Sequence, residues 1–166
     1  MNTIVLEQFP RLESERLRFE QLIDVNLEQM LEITSFNGRA TTHAEVVKLL
    51  GEIEIHRNNK AGITWGIYLA TELIGTIGFY RGFENEWGEV GYVIRENFRR
   101  KGYVTEALRT VLRFAFQKMQ LKGVSAFTTD DNSPSMGVLC KFGFEKSEEF
   151  SGLHRKYMRV NEEQLK

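Results

Sequence analysis

One stretch of the sequence combines three cations, a glycine and the predicted start of a helix. Arg99, Arg100 and Lys101 precede Gly102, and apolar residues recur at helical spacing from Val104 onwards. The first N–H groups of a helix lack intrahelical partners and the helix dipole is positive there, so such a turn can hold an anion through its main chain. Gly102 lets the backbone approach that ligand closely. The pattern predicts a phosphate site, although a solvated turn with a capping glycine has the same pattern.

Other reactive residue types are scattered along the chain. Cys140 is the single cysteine, which excludes a disulfide framework, and no histidine lies near it in the sequence. No spacing of cysteines and histidines is typical of a zinc site, so we predict no metal. The sequence also lacks a Gly-x-x-x-x-Gly-Lys-Ser/Thr phosphate loop, a Gly-x-Gly-x-x-Gly after the first strand and a Gly-x-Ser-x-Gly hydrolase turn.

Length and composition indicate one ordinary domain over residues 1–166, because 166 residues with 42% hydrophobic side chains can bury a sizeable core. A net charge of −1 and a pI near 6.3 argue against a nucleic-acid-binding surface. The N-terminus shows no export signal, and no run of about 18 apolar residues predicts a membrane span. We therefore expect a soluble, cytoplasmic protein with neither nucleic acid nor membrane as a partner.

We call residues 99–102 the basic turn. The elements that position it begin with a predicted strand over residues 15–22, where charged and apolar residues alternate. Asp24 is then predicted to cap a helix that ends near Thr34. Thr42 is predicted to cap a second helix that ends near residues 57–59. Residues 36–41 connect these two helices.

The pattern of the remaining chain predicts a meander of three strands, followed by two helices and three further strands. The predicted strands cover residues 63–70, 73–80, 88–94, 123–129, 144–150 and 155–160, with helices from Val104 and from Ser133-Pro134. The resulting order, βααβββαβαββ, is that of an α+β fold with a mixed sheet.

Two motifs in this order resemble the GNAT superfamily of acyl-CoA-dependent N-acetyltransferases. Arg99, Gly102 and Val104 occupy the positions of the family's Arg/Gln-x-x-Gly-x-Gly/Ala pattern, with Val104 in place of a small residue. Roughly 30 residues later, Asn132 to Phe144 resembles the family's Asn-x-x-Ser/Ala…Lys-x-Gly-Phe motif. The resemblance covers essentially the whole chain, and it implies a three-layer fold whose mostly antiparallel central sheet is flanked by helices.

Three further features resemble one branch of that family, the ribosomal-protein alanine and serine N-terminal acetyltransferases. They are the opening Glu15-Arg16-Leu17, the segment Glu89-Val90-Gly91-Tyr92, and Leu139. Many GNAT enzymes have a tyrosine acting as general acid where this chain has Leu139, which has no proton to donate. The branch instead implies Ser135 as the proton donor, and helix capping is the alternative role for that residue.

The resemblance implies that acetyl-CoA binds as the acyl donor. In the family the amides of the basic turn hold the pyrophosphate, and the preceding strand runs beside the pantetheine arm. The residues implied for donor binding are Tyr92, Val93, Ile94, Arg99, Arg100, Lys101, Gly102, Tyr103, Val104, Thr105, Asn132 and Lys141.

The chemistry of acetyl transfer requires a neutral amine, a polarised thioester carbonyl and a proton for the departing thiolate. Glu89 corresponds to the family's strand glutamate and is the candidate general base, with a solvated strand carboxylate as the alternative reading. Backbone N–H groups between Tyr92 and Ile94 are candidates to stabilise the oxyanion. Ser135 completes the predicted catalytic set.

The family places the connection between the first two helices over the acceptor, so Phe36, Asn37 and Arg39 are predicted to contact it. We expect the acceptor to be the α-amine of a protein or peptide N-terminus. A small amine such as a polyamine, an amino acid or an antibiotic is the alternative acceptor, and a non-catalytic acyl-CoA sensor is the alternative function. The sequence is compatible with a monomer or a homodimer.

Overall fold

The computed structural model describes residues 1–162, and in these residues eight strands form one sheet that four α-helices flank. The helices are α1 (Leu27–Ser35), α2 (His43–Asn58), α3 (Tyr103–Gln117) and α4 (Ser133–Lys141). The strands are β1 (Leu12–Glu13), β2 (Leu17–Glu20), β3 (Ile63–Leu69), β4 (Glu72–Phe79), β5 (Trp87–Ile94), β6 (Gly123–Thr129), β7 (Glu145–Ser151) and β8 (His154–Val160). Apart from the short additional strand β1, this is the predicted order.

The sheet is mixed, as predicted, and has the strand order β1-β2-β3-β4-β5-β6-β8-β7. Every neighbouring pair is antiparallel except β5 and β6, which are parallel. Parallel strands need a crossover connection, and α3 provides it between β5 and β6. The predicted basic turn therefore lies directly after the strand that changes the direction of pairing.

Apolar helix faces bury both sides of the sheet. Leu108, Val111 and Ala115 of α3 are buried in a large cluster on one side, which also includes Leu139 of α4. On the other side α1 and α2 contribute a smaller cluster of buried residues that includes Met30, Ile33, Val46 and Leu49. The sheet is thus the middle layer of three, as the resemblance implies.

The N-terminal strand is shorter than the predicted range of residues 15–22. The N–H of Ser14 donates to the C=O of Leu17 at 2.9 Å, so residues 14–17 form a tight turn between β1 and β2. The alternation of charged and apolar residues is therefore a strand pattern only from Leu17 onwards, where Leu17 and Phe19 are buried.

Helix α1 is capped by Asn26, so the prediction of Asp24 as the cap is wrong. The Asn26 side chain accepts a hydrogen bond from the N–H of Gln29 at 3.1 Å, whereas Asp24 has a φ of 49° and is in the left-handed region. An N-cap needs extended dihedral angles, which Asn26 has. The Thr42 cap of α2 is confirmed, and Glu45 completes a capping box with it.

An arginine at the end of β5 fixes α1 over the sheet. Arg95 is buried and donates to Glu32 of α1 and to Glu72 of β4, each at 2.8 Å. The connection that follows α1 is therefore held over the same end of β5 as the basic turn. No helix in residues 1–162 combines the length and hydropathy needed to cross a bilayer.

Candidate active site

The candidate site lies where β5 and β6 separate. The two strands pair at three positions, from Trp87 opposite Gly123 to Glu89 opposite Ser125. Beyond Glu89 the strand β5 continues to Ile94 and is paired with β4 alone. The sheet is therefore open on one side of β5 for about half of that strand's length.

The polar main-chain groups of two residues face this opening. The C=O of Glu89 accepts from Tyr80 at 3.2 Å and the N–H of Arg95 donates to Ile74 at 2.9 Å, so the odd-numbered residues of β5 pair with β4. Because main-chain groups alternate sides along an antiparallel strand, the N–H groups of Tyr92 and Ile94 face the opening. Residues 92–94 are the predicted donors to the oxyanion. Of these, Val93 has its N–H directed towards β4 and away from the opening.

Helix α3 begins at the opening with an uncapped N-terminus. Among the four α-helices in residues 1–162, α3 is the one without a side-chain cap, since Asn26, Thr42 and Asn132 cap the others. The first N–H of α3 with an intrahelical acceptor is that of Glu106, which donates to Gly102 at 3.0 Å. The N–H groups of residues 103–105 are therefore available to an anion.

The backbone of the basic turn requires glycine at Gly102. This residue has a φ of 80°, in the left-handed region that side chains disfavour, and an added Cβ would meet only the Arg16 guanidinium at 3.5 Å. Arg99 donates to the C=O of Ile94 at 2.9 Å and Lys101 donates to the C=O of Asn97 at 2.8 Å. Both cations are thus folded back on the turn, beside the helix N-terminus.

Arg16, in the turn between β1 and β2, contacts the basic turn and the start of α3. Its guanidinium donates to the C=O of Lys101 at 3.2 Å and to the carboxylate of Glu106 at 2.7 Å, and it lies 4.6 Å from the centre of the Tyr103 ring. Burial disfavours ionisation of Glu106, but hydrogen bonds from Ser14 and Arg16 outweigh it and lower the pKa of Glu106. Arg16 of the Glu15-Arg16-Leu17 motif therefore contacts both the basic turn and the first turn of α3.

One cavity of about 1200 Å³ connects the basic turn to the opposite end of the opening. It is lined by Tyr92, Val93, Ile94, Arg99, Arg100, Lys101, Gly102, Tyr103, Val104, Thr105 and Asn132 of the predicted donor set, and by Glu89, Ser135, Phe36, Asn37 and Arg39. Lys141 is exposed at the end of α4, outside this lining. The structure thus brings together every predicted site residue except Lys141.

Glu89 is half-buried at the end of the cavity remote from the basic turn. Burial raises the pKa of its carboxyl group, against the opposing influence of the positive charges on Arg81 and Lys156. The Arg81 guanidinium lies 3.5 Å from a Glu89 oxygen and is itself mostly exposed. A partly desolvated carboxylate in a cavity has the properties of a general base.

The connection between α1 and α2 lines the same cavity through Phe36, Asn37 and Arg39. The Phe36 ring lies 4.2 Å from the Arg99 guanidinium, and the Arg39 guanidinium lies 5.3 Å from the centre of the Tyr80 ring. Burial raises the pKa of Tyr80 to about 12, so this hydroxyl is neutral at physiological pH. Arg39 and Arg81 place two positively charged side chains at the end of the cavity near Glu89.

Ser135 and Tyr92 form a hydrogen bond across the cavity. Their hydroxyl oxygens are 2.9 Å apart, and either can be the donor. The side chain of Asn132 accepts from the N–H of Ser135 at 3.2 Å, which makes Asn132 the cap of α4. Ser135 therefore does not cap the helix through its own hydroxyl, while Leu139 is buried in the core.

Several cavity residues have no signal in the sequence. Thr128 has a buried hydroxyl that, among the described residues, lacks a hydrogen-bond partner, and it lines the cavity together with Tyr80, Arg81 and His154. These residues come from β6, β8 and the segment after β4, so only the sheet register places them here. Within residues 1–162 no three His, Cys, Asp or Glu side chains are grouped as metal ligands.

Comparison with known proteins identifies one family. The model of the acetyltransferase (GNAT) domain matches residues 11–145. The uncharacterized N-acetyltransferase YoaA of Bacillus subtilis is 30% identical over 164 residues, which covers 92% of this chain and 90% of YoaA.

Solved structures have the same fold. RimL, the ribosomal L7/L12 α-N-protein acetyltransferase in complex with coenzyme A, superposes with a TM-score of 0.79 at 15% identity, over 91% of this chain and 98% of its own. The microcin C7 self-immunity acetyltransferase MccE, in complex with acetyl-CoA and AMP, gives a TM-score of 0.71 at 18% identity, over 89% and 93%.

Proposed function

The chain belongs to the GNAT family of acetyltransferases, and from this premise we propose that it acetylates the N-terminal α-amine of a protein or peptide. The observation that carries the proposal is a single cavity that connects the uncapped N-terminus of α3 to the half-buried carboxylate of Glu89. The phosphates of a donor and the amine of an acceptor can be bound in this cavity at the same time.

Acetyl-CoA is the acyl donor, and the polar groups of the cavity fit its chemistry. The N–H groups of residues 103–105 and the cations Arg99, Arg100 and Lys101 suit its pyrophosphate. The main-chain groups of Tyr92 and the unpartnered hydroxyl of Thr128 suit the amides of its pantetheine arm. The donor thus supplies hydrogen-bond partners where the sheet is open.

The reaction proposed for this site is direct attack of the amine on the thioester carbonyl. The N–H groups of Tyr92 or Ile94, which face the opening, stabilise the negative charge that develops on the carbonyl oxygen. Glu89 accepts the proton that the amine loses, directly or through water. Ser135 donates a proton to the thiolate as the carbon–sulfur bond breaks.

The strength of the base favours an α-amine as the acceptor. At pH 7 an α-amine with a pKa near 7.8 is about 10% neutral, whereas a lysine amine near 10.4 is neutral in about 0.04% of molecules. One carboxylate is therefore a sufficient base for an α-amine, of which a tenth is already neutral. It is a weak base for the deprotonation of a lysine amine. The positive charges of Arg39 and Arg81 also disfavour polycationic acceptors such as spermidine.

The acceptor assignment predicts a strong preference for free N-termini. Turnover of acetyl-CoA should be about 10²-fold faster on a peptide with a free N-terminus than on the same peptide with a blocked N-terminus, when each contains one internal lysine. The measurement is release of free thiol, with mass spectrometry to locate the acetyl group, and spermidine is assayed in parallel. Equal rates on the two peptides, or turnover with spermidine alone, would contradict the assignment. Binding of acetyl-CoA without turnover of any acceptor would favour the sensor.

The support that Arg16 gives to the basic turn predicts a separate effect on donor affinity. Arg16→Gln removes the ion pair with Glu106 and the hydrogen bond to Lys101, so the dissociation constant for acetyl-CoA should rise about tenfold, while kcat at saturating donor stays within about twofold. Calorimetric titration measures the first quantity and steady-state kinetics the second. Arg18→Gln is the control, because Arg18 also contacts a carboxylate and a carbonyl oxygen, but these belong to Glu20 and Ala70 and not to the basic turn or α3. Equal affinities for both variants would show that Arg16 does not order the turn.

A further inference from the structure

The hydrogen bond between Tyr92 and Ser135 connects two elements that face each other across the cavity. Tyr92 comes from β5, beyond the last residue that pairs with β6, and Ser135 from the first turn of α4. Their oxygens are 2.9 Å apart and both residues line the cavity. The bond therefore lies in the part of the cavity where the thioester is proposed to react.

Ser135 by itself is an incomplete proton donor. A serine hydroxyl carries one proton, and after donating it the oxygen becomes a strongly basic alkoxide unless a second proton arrives in the same step. The position that carries a tyrosine in many related enzymes holds Leu139, which is buried and apolar. Within hydrogen-bond distance of Ser135, the structure offers one phenol, that of Tyr92.

The surroundings of Tyr92 keep its hydroxyl protonated. Burial raises the pKa of this phenol, and the hydrogen bond with Ser135 offsets the increase only in part. The group is therefore neutral at physiological pH and has a proton to donate. Asn132 holds the backbone of Ser135 from the other side, so the serine is positioned by one contact to its N–H and one to its hydroxyl.

We propose that Tyr92 is a positioning residue that orients the hydroxyl of Ser135 and replaces the proton that Ser135 gives to the departing thiolate. This inference rests on the proposed function. It assigns to Tyr92 a function in proton supply through its side chain, in addition to the donor contact predicted for its main chain.

The step is balanced in atoms and charge. The amine nitrogen bonds to the carbonyl carbon, the carbon–sulfur bond breaks, and the sulfur takes the proton of the Ser135 hydroxyl. Ser135 takes the Tyr92 proton in the same step, which leaves a phenolate on Tyr92. Glu89 holds the proton lost by the amine and returns it to solvent, from which Tyr92 is reprotonated. The products are the acetylated amine and the free thiol of coenzyme A.

The first part of the test separates chemistry from binding. Tyr92→Phe keeps the ring and removes the hydroxyl, so single-turnover acetyl transfer at saturating substrates should slow about tenfold, while the dissociation constant for acetyl-CoA stays within about twofold. Tyr68→Phe is the control, because it removes a phenol from β3, in the same sheet and outside the cavity, and should leave both quantities unchanged.

The second part asks whether the two hydroxyls act as a unit. Ser135→Ala should slow the same step about 10²-fold, and the double variant Tyr92→Phe/Ser135→Ala should be no slower than Ser135→Ala alone. Without Ser135, the Tyr92 proton has no route to the sulfur. A double variant slowed by the product of the two single effects would overturn the proposal, because the residues would then act independently.

The outcomes also separate this inference from the proposed function. A wild-type protein that transfers acetyl groups, together with a Tyr92→Phe variant of equal rate, overturns the function of Tyr92 and leaves the acetyltransferase assignment intact. A Tyr92→Phe variant that changes only the dissociation constant for acetyl-CoA leads to the same conclusion. A wild-type protein that transfers no acetyl group to any amine overturns both.

Discussion

Replacing Gly102 with glutamate should abolish the stabilisation of the protein by acetyl-CoA. At a concentration 100 times the dissociation constant, the donor should add about 2.7 kcal/mol to the free energy of unfolding and raise the melting temperature by roughly 5–10 °C. In Gly102→Glu a carboxylate lies beside the free N–H groups of α3, where it occupies the anion site and repels the pyrophosphate. Differential scanning fluorimetry with and without donor measures the effect.

A matched variant controls for backbone strain at this position. Gly143 also has a positive φ, of 74°, with open space around a Cβ, and it lies outside the cavity. Gly143→Glu therefore carries the same conformational cost and the same added charge, yet should keep the full shift of the melting temperature. If Gly102→Glu retained the shift, the turn would not be the site of the pyrophosphate.

Replacing Glu89 with glutamine should lower kcat about 10²-fold or more, with little change in donor affinity. The side chain keeps its shape but can no longer accept the proton of the amine. The control is Glu20→Gln, since Glu20 is also a strand carboxylate paired with an arginine, at 3.2 Å, and lies outside the cavity. An unchanged kcat in Glu89→Gln would exclude Glu89 as the base.

We also expect the rates of the wild-type protein and of Glu89→Gln to depend differently on pH. Burial raises the pKa of Glu89, so its carboxylate becomes protonated, and inactive as a base, at a pH above that of an ordinary glutamate. The ratio of the wild-type rate to the Glu89→Gln rate should therefore fall as the pH decreases through that raised value. Ionisation of the acceptor affects both proteins equally and cancels in the ratio. A ratio independent of pH would contradict the assignment.

The fold could be predicted from the sequence because its signals are local. The apolar periodicity of α3, the alternation in β5 and the capping pattern at Thr42 each lie within one element. The N-terminal strand and the Asp24 cap differ in the structure because the competing candidates are close in sequence. Asn26 lies two residues after Asp24, and the turn at residues 14–17 interrupts an otherwise regular alternation.

The candidate site could be predicted only where a motif marks it. The basic turn, Glu89 and Ser135 belong to recognisable patterns, and all of them line the cavity. The hydrogen bond between Tyr92 and Ser135 joins residues 43 positions apart, and the contact of Arg16 with Lys101 joins residues 85 apart. Such contacts depend on how the elements pack, and a single sequence carries no record of that.

The opening beside β5 also makes the resistance of the protein to proteolysis depend on its donor. Three residue pairs join β5 to β6, and buried residues of α3 pack against both strands. A donor bound in the opening adds hydrogen bonds between them, and at ten times its dissociation constant it contributes about 1.4 kcal/mol to stability. Local opening at this seam, and with it cleavage by proteases, is then most frequent when acetyl-CoA is scarce.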